Sequence, residues 1–375
     1  RTMRKVTIIG AGNVGATIAY TLAVEGVANE IVIIDIKKEK AEGEAIDIGQ
    51  GGLFFREDVR IVSGDYEDAV DSDIVVITSG MARKPGMTRL DLAQTNVNIL
   101  CSIAPQITKY APDAIYLIVS NPVDVMTYVF HKITNIPENR IIGSGNSLDT
   151  ARLRYWLASR FNISQQNVHA YVFGEHGDSS FVPWSQAAIC TTMVEDYYKK
   201  LEGKELDKDA AEEYVRKSGA EVIKRKGATF YGIAASVAQI VNSIYSSAHT
   251  ILPVSTVLEG EYGISDVALS TLCVIGKNGI VLSRIDVADF IKDGMLDKVE
   301  VMEASTLNPI SYKEETKRLK KNLNVEKRLR KAVQKMEDAL DKYANFILPD
   351  EKAQLTQEEI NQLDDYRAKL AAQRD

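Results

Sequence analysis

The sequence predicts an α/β protein: a Rossmann-type, doubly wound parallel sheet, then a mixed α+β domain, then a helical C-terminal tail. Three observations carry this expectation. Short β-rich runs alternate with helical stretches over residues 1–145, the rhythm of a parallel sheet covered on both faces. Gly10-x-Gly12-x-x-Gly15 stands where the first strand should give way to the first helix. From about Gly145 the alternation stops and longer helical stretches take over.

Taken in order, Lys5 to Ile9 is a short β-rich run, Asn13 to Val24 has helical spacing, and Glu30 to Ile34 is a second strand ending at Asp35. Asp73 to Thr78 and Ala114 to Val119 read as buried strands, with an amphipathic helix from Leu90 to Tyr110 between them. The second domain, 146–310, should hold a helix over Leu148 to Phe161 and a strand over Asn167 to Phe173. A long helical region from Asp207 to Ser247 and strand-like runs at Ile251 to Leu258 and Leu269 to Ile275 follow. In the tail, 311–375, Leu329, Val333, Met336, Leu340, Tyr343 and Ile347 alternate four and three apart, the seam of a coiled coil or helical hairpin. Pro349 and Asp350 break it. Thr356 and Glu359 then form a capping box for a last helix.

The bulk numbers exclude several classes. A length of 375 residues suffices for two cores, and 45% apolar with 26% charged residues is ordinary for a soluble globular protein. A net charge of -7 argues against a general nucleic-acid binder. No apolar run is long enough to cross a bilayer, and nothing at the start resembles a signal peptide. Cys101, Cys190 and Cys273 are odd in number and in no metal-ligand spacing, which reads as buried thiols in a reducing, cytoplasmic setting.

The glycine motif has its full context: a strand before it, a helix after it, and Asp35 at the end of the next strand. Gly10 permits the tight turn, Gly12 lets the backbone reach a pyrophosphate, and Gly15 lets the helix pack closely. With Asn13 and Val14 they open a helix whose N-terminus favours phosphate. Asp35 would accept hydrogen bonds from ribose hydroxyls and repel a 2′-phosphate, which favours NAD over NADP. Downstream, Gly174-Glu-His176-Gly-Asp178 places one of the four histidines on bare backbone. Its pKa suits proton transfer near neutrality. Leu148-Asp149-Thr-Ala-Arg152 offers a carboxylate to orient that histidine and an arginine to clamp an anion.

These segments stand in a fixed order: Gly10 to Gly15, Gly80 to Leu92, Val119 to Asp124, Leu148 to Arg152, Gly174 to Asp178 and Lys226 to Thr229. In that order they resemble the L-lactate/L-malate dehydrogenase family from about Arg4 to Ile280. The resemblance implies that His176 donates a proton to the carbonyl oxygen of a small 2-oxo acid, with Asp149 fixing its tautomer. It implies that Arg152 grips the substrate carboxylate and that Arg89, in a mobile loop hinged near Lys84-Pro-Gly86, polarises the carbonyl. Asn121 would sit between nicotinamide and carbonyl, and Thr229 would line the pocket. Glu175, the Lys226-Gly-Ala-Thr229 segment and the stretch Leu148 to Arg154 resemble the lactate branch, which makes pyruvate and lactate the expected pair. Arg83 resembles the arginine that malate enzymes aim at a second carboxylate, so oxaloacetate is the alternative. Arg154 and His169 match positions where bacterial lactate enzymes bind fructose 1,6-bisphosphate across a subunit interface, and a homo-oligomer is expected. A non-catalytic assembly protein on this scaffold is the reading from another class. The intact set Arg89, Asp149, Arg152 and His176 argues against it.

Overall fold

The computed structural model describes residues 4–81, 89–246, 248–261 and 265–282. Arg83, the Lys84-Pro-Gly86 hinge and the whole 311–375 tail lie outside them. The strands are β1 (Lys5–Ile9), β2 (Glu30–Ile34), β3 (Arg60–Ser63), β4 (Ile74–Ile77), β5 (Ile115–Ile118) and β6 (Ile141–Gly143) in the first half. The second half adds β7 (Val168–His169), β8 (Ala188–Ile189), β9 (Thr192–Met193), β10 (Thr250–Glu259), β11 (Ser265–Gly276) and β12 (Gly279–Leu282). The helices are α1 (Asn13–Val24), α2 (Lys38–Gln50), α3 (Arg89–Tyr110), α4 (Val123–Ile133) and α5 (Ser147–Phe161). They continue with α6 (Val194–Glu202), α7 (Lys208–Lys226) and α8 (Tyr231–Tyr245).

Six strands pair in parallel in the order β6-β5-β4-β1-β2-β3, the doubly wound arrangement the sequence predicts. Alternate side chains of these strands feed two cores. Val6, Ile8, Ile31, Ile33, Ile74 and Val76 pack with α1, α2 and α8 on one face. Val32, Ile34, Val75, Ile77, Tyr116 and Ile118 pack with α3 and α4 on the other. The winding reverses between β1 and β4, and a crevice at the carboxyl ends of strands is where such folds bind ligands.

The sheet does not stop with the first half. β10 joins β6 antiparallel through Ser255 and Gly143, and β11 and β12 extend it. A small sheet of β7, β8 and β9 stands apart, packed with α5, α6 and α7 around Leu153, Trp156, Leu157 and Val194. The predicted strand over 167–173 is thus reduced to two residues. Its remaining backbone groups go elsewhere: the Val172 N–H donates to Thr150 Oγ1, and the Ala170 carbonyl accepts from Arg154. The long helical region from Asp207 is two helices, because Gly227 caps α7 with φ +84°. Cys273 is buried, but Cys101 and Cys190 are exposed, contrary to the expectation of buried thiols. Cys101 rides the outer side of α3, and Cys190 sits at φ +52° in the turn between β8 and β9. No helix among the described residues is long and apolar enough to cross a membrane.

Gly15 is where sequence and packing meet most tightly, since a Cβ there would lie 1.9 Å from the Gly10 carbonyl oxygen. Gly12 has nothing within 4 Å of the same position. Gly15→Ala is therefore expected to lower unfolding stability by about 2 kcal/mol or more, despite better helix propensity. Gly12→Ala should stay within about 0.5 kcal/mol of the parent. Urea denaturation of both variants checks this; equal effects would contradict the close packing of α1 on the turn.

Candidate active site

The turn after β1 is built around Gly10, whose φ of +110° only glycine adopts freely and whose N–H donates to the Ile34 carbonyl at 2.7 Å. Gly12 caps α1 without a side-chain bond, so the first turn of the helix faces open space above it. Backbone N–H groups so placed are a cradle for an anion. Asp35 closes one side of the turn. Its Oδ2 accepts from the Ala11 N–H at 2.6 Å and its Oδ1 from the Lys37 N–H at 2.8 Å. These two bonds fix the carboxylate while each oxygen keeps lone pairs for hydroxyl donors. The turn, the helix start and the fixed carboxylate fit the pyrophosphate and ribose of a dinucleotide.

The second cluster hangs on α5. Asp149 and Arg152 are three residues apart and so share one face of that helix. Asp149 is buried, and its two oxygens are divided between two cations. Oδ2 meets His176 Nδ1 at 2.5 Å, and Oδ1 accepts from Arg152 Nη1 at 2.9 Å. The imidazole is held through Nδ1, with 27% of the side chain exposed, so Nε2 is the nitrogen left for a substrate. The Asp149 carboxylate raises the His176 pKa to about 9, against the opposing effect of burial. Burial likewise pushes the Asp149 carboxyl up, but His176 and then Arg152 outweigh it and hold it below its ordinary value. At neutral pH the pair is imidazolium and carboxylate. Such a pair can give a proton from Nε2 and take it back, while Asp149 keeps the charge compensated. Arg152 lies against α7, where a Cβ on Gly219 would sit 3.4 Å from its Nη2. Only Nη1 is committed to Asp149, which leaves the fork's other donors for an incoming anion.

Sequence reasoning quoted Asp124 within a motif but gave it no role. It is buried in the first turn of α4, accepts the His176 backbone N–H at 2.7 Å on Oδ2, and takes the Ser255 hydroxyl at 2.6 Å on Oδ1. Burial raises its pKa to about 6, and the bonds from Ser255 and His176 only partly offset this. One carboxylate thus grips the histidine's ring and another its backbone. The second is invisible in the sequence because an aspartate early in a helix reads as an ordinary N-terminal acid.

The other predicted residues are spread around this centre. Asn121 ends the β5 segment with an exposed side chain and a cis bond to Pro122. Its carbonyl accepts from Asn96 Nδ2 at 2.7 Å, while Asn96 Oδ1 accepts the Met81 N–H at 2.7 Å. Buried Asn96, which pattern reasoning passed over, therefore ties Asn121 to Met81. Arg89 opens α3. Thr229 is half-buried in the connector between α7 and α8. Arg154 donates from Nε to the Ala170 carbonyl and lies over the Tyr171 ring, near exposed His169 on β7.

Comparison with known proteins agrees with this geometry. The family description "lactate/malate dehydrogenase, NAD binding domain" matches residues 4–143, and "lactate/malate dehydrogenase, alpha/beta C-terminal domain" matches residues 146–347. An L-lactate dehydrogenase of Clostridium botulinum is 46% identical over 315 residues, which covers 82% of this chain and 99% of that relative. One of Thermoanaerobacter sp. is 46% identical over 310 residues, covering 80% and 99%. Among solved structures, the minor L-lactate dehydrogenase of Enterococcus mundtii superposes with a TM-score of 0.78 at 34% identity, over 91% of this chain and 99% of that one. With a cofactor cradle at Gly10–Gly15, buried Asp149 paired to His176 and matches of this extent, the chain belongs to the lactate/malate dehydrogenase family.

Proposed function

We propose that this NAD-dependent oxidoreductase is an L-lactate dehydrogenase that interconverts pyruvate and L-lactate. The observation that carries the reading is the His176–Asp149–Arg152 cluster: a held imidazolium beside a guanidinium with free donors, suited to a 2-oxo acid. Bound NADH supplies the hydride that reduces the carbonyl carbon. In the reductive direction His176 gives its Nε2 proton to the carbonyl oxygen, and in the oxidative direction it takes the hydroxyl proton. Asp149 fixes the tautomer and stabilises the imidazolium. Arg152 holds the substrate carboxylate as a planar fork. Arg89 polarises the carbonyl from the first turn of α3, Asn121 orients the carbonyl and the nicotinamide side, and Thr229 lines the pocket. Gly10, Gly12, Asn13, Val14, Gly15 and Asp35 hold the dinucleotide.

The malate alternative rested on Arg83, and the relatives described above are named for lactate, which does not favour it. We assign residues 1–145 to the cofactor, 146–310 to the substrate and 311–375 to assembly, in a cytoplasmic homo-oligomer. Fructose 1,6-bisphosphate is carried as an effector of Arg154 and His169, to be checked by titrating activity with it. The substrate assignment is tested by kcat/KM for pyruvate and oxaloacetate with NADH; pyruvate should be preferred, and a preference for oxaloacetate would overturn it.

The proton assignment has its own test. Because His176 is a donor only when protonated and its pKa is raised to about 9, kcat/KM for pyruvate reduction should be flat near neutrality and fall as pH rises through that value. His176→Asn should lower kcat by roughly 1000-fold or more while NADH affinity stays within a few-fold. Turnover surviving within about tenfold would remove His176 from the reaction.

A further inference from the structure

Asn146 occupies the N-cap position of α5, where an asparagine ordinarily turns its side-chain oxygen onto the helix's own N–H groups. Here it makes no such bond. The residue is fully buried, its Nδ2 donates to the Gly174 carbonyl at 3.0 Å, and its Oδ1 has no hydrogen-bond partner. The orientation is forced, since a carbonyl oxygen can only accept and the amide must turn its donor toward it. The chain therefore gives up a helix cap and leaves a buried acceptor unpaired to keep one bond to the backbone two residues before His176. A buried polar atom left unpaired in this way calls for a reason.

We infer that Asn146 is a positioning residue, whose amide locks the start of α5 to Gly174 and so sets the spacing between Asp149 and His176. Asp149 follows Asn146 by three residues on the helix, and His176 follows Gly174 by two in the loop. The same link thus reaches both halves of the pair.

Its surroundings are built for registration. The Asn146 N–H donates to Ser270 Oγ at 2.9 Å, and Ser270 exchanges two backbone bonds with Gly174, each 3.0 Å. Gly145, at φ +50°, lets the chain pass this close: a Cβ there would lie 2.2 Å from Ser270 Oγ and 2.5 Å from the Ser255 nitrogen. Strand β11 thereby holds Asn146 and Gly174, while β10 supplies Ser255 to Asp124, which holds the His176 N–H. If the amide is lost, the loop keeps its bonds to Ser270 and Asp124 and the bonds of Thr150 and Arg154 further upstream, but loses the tie to α5 that lies nearest His176 on the backbone. A 2.5 Å bond between residues 27 positions apart is sensitive to such a shift. The charges facing His176 are Asp149 and Arg152 from α5 and Asp124 from α4.

The inference rests on the proposed reaction only for its kinetic readout. In the full-length protein, Asn146→Leu removes the donor and the unpaired acceptor at similar volume. Its melting temperature should stay within about 4 °C of the parent, as removing both the bond and the unpaired acceptor nearly cancels. The NADH dissociation constant should stay within roughly twofold, because the dinucleotide cradle is untouched. kcat for pyruvate should fall by roughly tenfold or more, and the alkaline limb of kcat/KM should move at least about half a pH unit lower as His176 loses its grip on Asp149. The downfield Nδ1 proton resonance of His176 should move upfield, a readout that needs no turnover and stands even if pyruvate is not the substrate. An unchanged limb and resonance with normal NADH binding would overturn the inference. If Asn146→Leu does not fold, Asn146→Ala removes the Nδ2–Gly174 bond with a smaller side chain. The same two shifts are then expected, and their absence overturns it equally.

Discussion

A buried carboxylate shared by two cations is the constraint on which the rest of the second half depends. Asp149 has almost no access to water, and an ion there is tolerated only because His176 and Arg152 face it. Neither partner can be lost without leaving a charge uncompensated. The arrangement demands that α5 and the loop after β7, whose paired residues are 27 positions apart, meet at hydrogen-bond distance. The antiparallel strands β10 and β11 make this possible. They continue the cofactor sheet; Ser270 bonds both the loop at Gly174 and the start of α5 at Asn146, and Ser255 donates to Asp124, which holds the His176 N–H.

Two aspartates meet the same histidine and end in opposite states of perturbation. Burial dominates at Asp124 and raises its pKa to about 6, while His176 and Arg152 overcome burial at Asp149. For Asp124 the folded pKa lies above the ordinary value, so its contribution to stability is greatest in acid and is lost as pH climbs to about 6. His176 is raised from 6.5 to about 9, so its pairing supports the fold fully below the lower value and is lost as pH rises through the higher one. Above pH 6, Asp124 adds a second negative charge beside the imidazolium and strengthens its hold on the proton. A group that touches only the backbone of His176 thus contributes to the ring's protonation.

The first half of the fold was legible because its signals are local. β1, α1 and β2 lie where alternation and the glycine motif place them, and Gly10, Gly15 and Asp35 meet in one turn. The candidate pair His176 and Asp149 was legible as residue types on a helix and a glycine-flanked loop. What the sequence hid is tertiary. Nothing local says that the run 167–173 gives its Val172 N–H to Thr150, or that Asp124 and Asn146 turn inward toward the histidine loop. An asparagine before a helix and an aspartate in its first turn both read as caps. Only the packing of α4 and α5 against β10 and β11 turns them into supports. Cys101 and Cys190 misled for the same reason, since a thiol's burial depends on which side of an element faces the core.

The central claim is that Asp149 holds His176 as an imidazolium. An NMR titration of labelled His176 with NADH bound tests it most directly. The parent should titrate near pH 9, and in Asp149→Asn the midpoint should fall to or below about 6.5 as the raising charge is removed. A midpoint near 6.5 in the parent, or one unmoved by the substitution, would contradict the account.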